Sequence, residues 1–169
     1  MSDHHLPSTV ATEKLASQNA ELSGTIALST LHRLVPVLAS SEGEANVVLR
    51  FAIDEQGRRR VSGTLVCELK IFCQRCLKPM PLAVKSEIDA ALVADDEAAQ
   101  QIPRQLDLVV AEEGVLDVYQ FIEDELLLSL PFTSFHEHNC VAIATRGEVS
   151  QQPETHKPFA DLAAIIDKS

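Results

Sequence analysis

Between residues 45 and 92 the apolar positions recur every second residue, the period of a strand with one covered face. Val47, Leu49, Phe51 and Ile53 alternate with Val48, Arg50 and Ala52. Asp54, Glu55, Gln56 and Gly57 supply a hairpin turn. Val61, Gly63, Leu65, Cys67, Leu69 and Ile71 then resume the alternation in a long second strand, and Leu82, Val84, Ser86, Ile88, Ala90 and Leu92 carry it through a third. Between the second and third strands lies IFCQRCLKPMP, residues 71–81, so two cysteines sit at the tip of an antiparallel pair.

Outside this region the period lengthens. Residues 1–22 are polar and read as an arm, loose or with a short helix over residues 12–18. A short strand over residues 24–28 leads to Ser29 and Thr30, N-cap candidates for a helix that places Leu31, Leu34, Val35 and Leu38 on one face. Residues 94–106 read as an exposed acidic loop and residues 107–111 as a short strand. Asp117 is the N-cap candidate for the clearest helix, VYQFIEDELLLSL, which Pro131 stops. Its Val118, Phe121, Ile122, Leu126 and Leu128 cover more than one face, so the helix needs two packing surfaces or a partner; Glu123 and Glu125 fall on a face that reads as solvated. A loop over residues 131–140 carries His136, His138 and Cys140. A polar stretch follows, and KPFADLAAII at residues 157–166 brings back Phe159, Leu162 and Ile166 at helical spacing. The expected fold class is α+β: a small antiparallel sheet with a Cys-x2-Cys knuckle between strands, packed by two helices, with flexible terminal segments. The expected divisions are a polar arm over 1–22, an α+β domain over 23–140 and a tail over 141–169 that ends in an amphipathic segment.

A chain of 169 residues suits one compact domain with tails. No run approaches the roughly 18 apolar residues of a membrane span, and MSDHHLPSTVATEKLASQ lacks the basic patch and apolar core of a secretion signal. A soluble cytoplasmic protein without membrane contact is expected. The net charge of −11 opposes indiscriminate binding to a polyanion. That charge is uneven, because residues 46–90 hold eight Lys and Arg against five acids, and the rest of the chain holds six against twenty. A basic face on an acidic protein fits this distribution, and so does an ordinary solvated sheet. Arg58, Arg59, Arg60, Arg75 and Lys78 are the candidates for facing RNA, although the three consecutive arginines also suit a hairpin guarded against edge pairing.

Four cysteines in a cytosolic chain call for metal, redox or burial rather than disulfides. Cys73 and Cys76 have the spacing that lets two thiolates face one zinc ion, and His136 or His138 with Cys140 can complete three sulfurs and one nitrogen. A redox pair would sit at a helix N-terminus, whereas Pro79 and Pro81 follow here. A plain turn with two small buried thiols also satisfies the spacing. Cys67 alternates with Leu65 and Leu69 and reads as core, with a ligand role open only if its strand bends. No glycine-rich phosphate loop or nucleophile motif occurs, so nothing points to catalysis.

CQRCLKP at 73–79, the helix DVYQFIEDELLLSLP at 117–131, the His and Cys after it and the terminal KPFADLAAI together resemble the YceD family of bacterial large ribosomal RNA accumulation proteins. The resemblance implies a non-enzymatic role in the synthesis, processing or stability of large-subunit (23S) RNA, that is, ribosome biogenesis. By position it carries the paired cysteines onto Cys73 and Cys76, the post-helix histidine onto His136 and the next cysteine onto Cys140, with zinc as the candidate ion. Contact with rRNA is expected to be direct or through a ribosome-assembly or rRNA-processing protein; the apolar stripe of Phe159, Leu162 and Ile166 supplies the partner-docking candidates, and a helix folded back onto its own core explains that stripe equally well. A zinc-stabilised protein adaptor without an RNA role is the alternative.

Overall fold

The computed structural model describes residues 5–140. The expected tail over 141–169, with Phe159, Leu162 and Ile166, lies outside them. In chain order the elements are β1 (Thr9–Ala11), α1 (Thr12–Ser17), β2 (Glu21–Ala27), β3 (Leu38–Ser40), β4 (Glu44–Ile53), β5 (Arg59–Phe72), β6 (Pro79–Val93), α2 (Asp96–Ala99), β7 (Asp107–Val110), β8 (Val115–Asp117) and α3 (Val118–Ser129).

The alternating region becomes the centre of the sheet. β4, β5 and β6 pair antiparallel in register, with Phe51 opposite Val61 and Val61 opposite Ala90. The sheet is larger than the pattern suggested: six strands, in the order β2-β4-β5-β6-β7, with β3 lying along β5 beyond the end of β4. It is not wholly antiparallel either, since β7 returns parallel to β6 and places Asp107 opposite Ala90. A parallel return needs a crossover, which the segment containing α2 provides.

One sheet face is covered and the other is wet. Val47, Leu49 and Phe51 of β4, Leu65, Leu69 and Ile71 of β5, and Val84 and Ile88 of β6 are buried together with Ile122 and Leu126 of α3. The opposite face carries ion pairs between Arg50 and Glu21, Arg60 and Asp89, and Lys70 and Glu42. Within β5, Gly63 is dictated by a close approach: a Cβ there would lie 1.9 Å from the Val48 carbonyl oxygen.

Two expectations need correction. Residues 31–38 do not form a helix; Leu28–Thr30 and Val35–Val37 are single 3-10 turns, and Leu38–Ser40 is a strand. Pro36 offers no N–H to a helical ladder, while Leu31, Leu34 and Leu38 remain buried from the irregular backbone. Of the expected arm, residues 5–22 are also part of the fold rather than loose. β1 pairs antiparallel with β8, Leu6 and Thr12 are buried, and the Thr12 hydroxyl donates to the Gly114 carbonyl at 2.9 Å. The short helix expected over 12–18 is present as α1.

Candidate metal centre

β5 and β6 pair from Arg60 opposite Ala91 to Phe72 opposite Pro79, and the turn that joins them carries Cys73 and Cys76. The turn closes through Cys73 N–H to the Lys78 carbonyl at 2.9 Å and Leu77 N–H to the Cys73 carbonyl at 2.8 Å. Leu77 takes a left-handed backbone, φ 58°, which reverses the chain after the second cysteine. Pro79 and Pro81 open β6; neither has an N–H to offer Phe72 or Lys70 opposite.

The second half of the site is delivered by α3. Asp117 caps this helix by accepting from Gln120 N–H at 2.9 Å, and after Pro131 the chain runs across the cysteine turn. Gln74 N–H donates to the Ser134 carbonyl at 2.8 Å, and the Ser134 hydroxyl donates to the Phe72 carbonyl at 2.9 Å. The Arg75 guanidinium donates to the carbonyls of His136 at 2.8 Å and His138 at 3.1 Å, and it lies 5.6 Å from the Phe135 ring centre. These bonds hold the loop where its His136 and Cys140 meet the turn.

The ligand atoms of Cys73, Cys76, His136 and Cys140 all lie within 4.8 Å of one another. Cys73 Sγ is 3.7 Å from Cys140 Sγ, and Cys76 Sγ is 3.4 Å from His136 Nδ1. A tetrahedral zinc ion with ordinary bond lengths separates two sulfurs by about 3.8 Å and a sulfur from a nitrogen by about 3.5 Å. The donor chemistry and these two separations therefore fit such an ion, and the remaining pairs lie within 4.8 Å. The sulfurs are too far apart for a disulfide, and all four cysteines are free thiols. Burial works against ionisation of Cys73, but the N–H groups of Cys76, His136 and Arg75 and the Cys76 thiol outweigh it and bring its pKa down to about 5. Cys140 and Cys73 beside His136 raise the imidazole pKa. Cys67 stays outside this cluster, buried in the core, and burial pushes its thiol up to about 11.

Of the two histidines left open by the spacing, His136 is the one in the cluster; the His138 ring packs beside it at 4.9 Å between centres. The five basic candidates are not brought together. Arg58, Arg59 and Arg60 lie at the start of β5, on the order of 40 Å from the turn at about 3.4 Å per residue, whereas Arg75 and Lys78 flank the cysteines. Arg58 is committed to Asp54 at 2.7 Å and Arg60 to Asp89. Arg75 serves the site by orienting the ligand loop, and exposed Lys78 sits beside it.

A residue that sequence reasoning placed in solvent turns out to be structural. Glu123 on α3 is buried, accepts from the N–H groups of Arg33 at 2.6 Å and Leu34 at 3.1 Å, and pairs with the Arg33 guanidinium at 2.8 Å. Its helical position gave no signal of this, since the partners belong to the segment misread as a helix.

A family model described as large ribosomal RNA subunit accumulation protein YceD matches residues 61–165, a span that holds all four clustered side chains. The chain belongs to the YceD family. A YceD relative from Haemophilus influenzae, the large ribosomal RNA subunit accumulation protein YceD, is 27% identical over 169 residues, covering 96% of this chain and 97% of its own. No solved structure matches the chain.

Proposed function

We propose that this YceD-family chain supports the accumulation of large-subunit ribosomal RNA in the cytoplasm without catalysing a reaction, and that Cys73, Cys76, His136 and Cys140 hold a structural zinc ion. The convergence of three sulfurs and one imidazole nitrogen within 4.8 Å carries the metal part of this reading. Four protein donors make a closed site with no position left for water or substrate, which favours a structural over a catalytic ion. When bound, zinc contributes folding free energy by joining the β5–β6 turn to the loop after α3. Within the chain, Arg75 and Ser134 orient the loop, Gln74 fixes its height over the turn, and the cysteines supply the charge that a divalent cation neutralises. The role in RNA accumulation rests on family membership, and the RNA is reached directly or through an assembly or processing protein.

The experiment is gene deletion followed by quantification of large-subunit against small-subunit RNA. A lowered ratio is expected, restored by the native gene and not by Cys73→Ser, Cys76→Ser. An unchanged ratio on deletion overturns the RNA role, and full rescue by the double variant overturns the metal's part in it.

A further inference from the structure

β7 is the last strand of the six-stranded sheet, and its outer edge pairs with no strand among the described residues. Between that edge and α3 runs a groove of about 530 Å³. Leu108, Val110 and Leu128 line it and are exposed, Leu128 to 81%. Glu112, Asp117 and Glu125 line it as well. Exposed apolar side chains beside an open strand edge are a liability unless something covers them.

We propose that this groove docks an extended segment of a basic protein, in which apolar residues alternate with lysine or arginine and which lies along the edge of β7. An added strand has period two, so its alternate side chains reach Leu108 and Val110 while its cations meet the acids of the groove. The charge selects this occupant over the others. RNA would bring phosphates against carboxylates. A second copy related by a two-fold axis would set acid against acid. The chain's own apolar segment at residues 157–166 carries one lysine and one aspartate and has no net charge to offer. The proposal deepens the reading above by naming the chemistry of the partner: basic protein segments are what an acidic factor can hold beside ribosomal RNA.

The test uses the full-length protein and a dye-labelled octapeptide of alternating lysine and valine, followed by fluorescence anisotropy. Saturable one-to-one binding is expected, weakened about tenfold or more by Val110→Lys and by Glu112→Lys, and weakened by about 0.5 M salt, where surface charges are screened. Glu112 is exposed next to its turn, so its variant tests the idea even if Val110→Lys fails to fold. Phe132→Ser, on the loop beside the metal centre, should bind like the native chain. Equal binding of an octapeptide of alternating lysine and serine, or affinity unchanged by both groove variants, overturns the proposal. So does a dimer that Leu108→Lys abolishes, or tighter peptide binding after removal of residues 150–169, since either means that the groove is already filled. None of these outcomes bears on the deletion experiment, so the partner chemistry can fail while the RNA role stands.

Discussion

Replacing Glu123 tests whether one buried carboxylate ties the irregular segment 28–37 to α3. Its side chain is 8% exposed and serves three donors: the N–H groups of Arg33 and Leu34, and the Arg33 guanidinium. In Glu123→Ala the two backbone donors lose their acceptor, at about 1–3 kcal/mol each where buried, and Arg33 loses a partner that is largely out of water. A total of about 2–4 kcal/mol follows, almost all from the two N–H groups, because the Arg33 guanidinium is half exposed and keeps Asp124 at 2.7 Å. For a domain of this size that lowers the melting temperature by roughly 6–12 °C. Glu123→Gln keeps one acceptor oxygen but turns an amide donor toward the guanidinium, so about half the loss is expected. The pH dependence fixes the sign. Burial pushes the carboxyl pKa up, but the Arg33 guanidinium and the two N–H groups outweigh it and hold it below its ordinary value. The carboxylate's contribution is therefore fully present above about pH 4.5 and is lost as pH falls through the lowered folded pKa. Thermal unfolding by circular dichroism at pH 7 and at pH 3.5 measures both effects. Native and Glu123→Gln proteins that melt within about 2 °C of each other at pH 7 would refute the tie.

Other outcomes follow from the same geometry. Gly63→Ala should cost about 3 kcal/mol or more in urea unfolding, at the upper end for overpacking, because the obstacle is the Val48 backbone oxygen; a loss under about 1 kcal/mol would contradict it. Phe51→Ala empties the middle of the core and should cost about 3–5 kcal/mol by the same assay. Arg75→Ala should weaken zinc retention by about 10–100-fold in a chelator competition, and Arg75→Lys should restore little, since both carbonyls are met by the outer Nη2, which the shorter lysine side chain does not reach. Equal retention in all three proteins would remove Arg75 from the site.

The strands at 44–93 and the helix at 118–129 were legible because burial on one face leaves a period in the sequence. The clustering of Cys73, Cys76 and Cys140 with a histidine was legible for a different reason: thiols at a two-residue spacing are scarce and His136, His138 and Cys140 stood together elsewhere in the chain, while the choice of His136 over His138 came from the family resemblance. What the residues did not encode locally was missed. Leu31, Leu34 and Leu38 have helical spacing and are buried, yet Pro36 breaks the ladder and the segment is held by Glu123, some ninety positions away. Likewise, the parallel pairing of β7 and the pairing of β1 with β8 depend on chain direction in space, which alternation cannot report. Arg75 read as a cation for phosphate because its partners are backbone carbonyls, which leave no trace in side-chain chemistry.

Elemental analysis of the protein purified without chelator puts the central assignment at stake. One zinc per chain is predicted, falling to background in Cys73→Ser, Cys76→Ser and in Cys140→Ser while Cys67→Ser retains it. Zinc well below one per chain, or a Cys140→Ser protein that keeps its full complement, would contradict the joining of turn and loop through a shared ion.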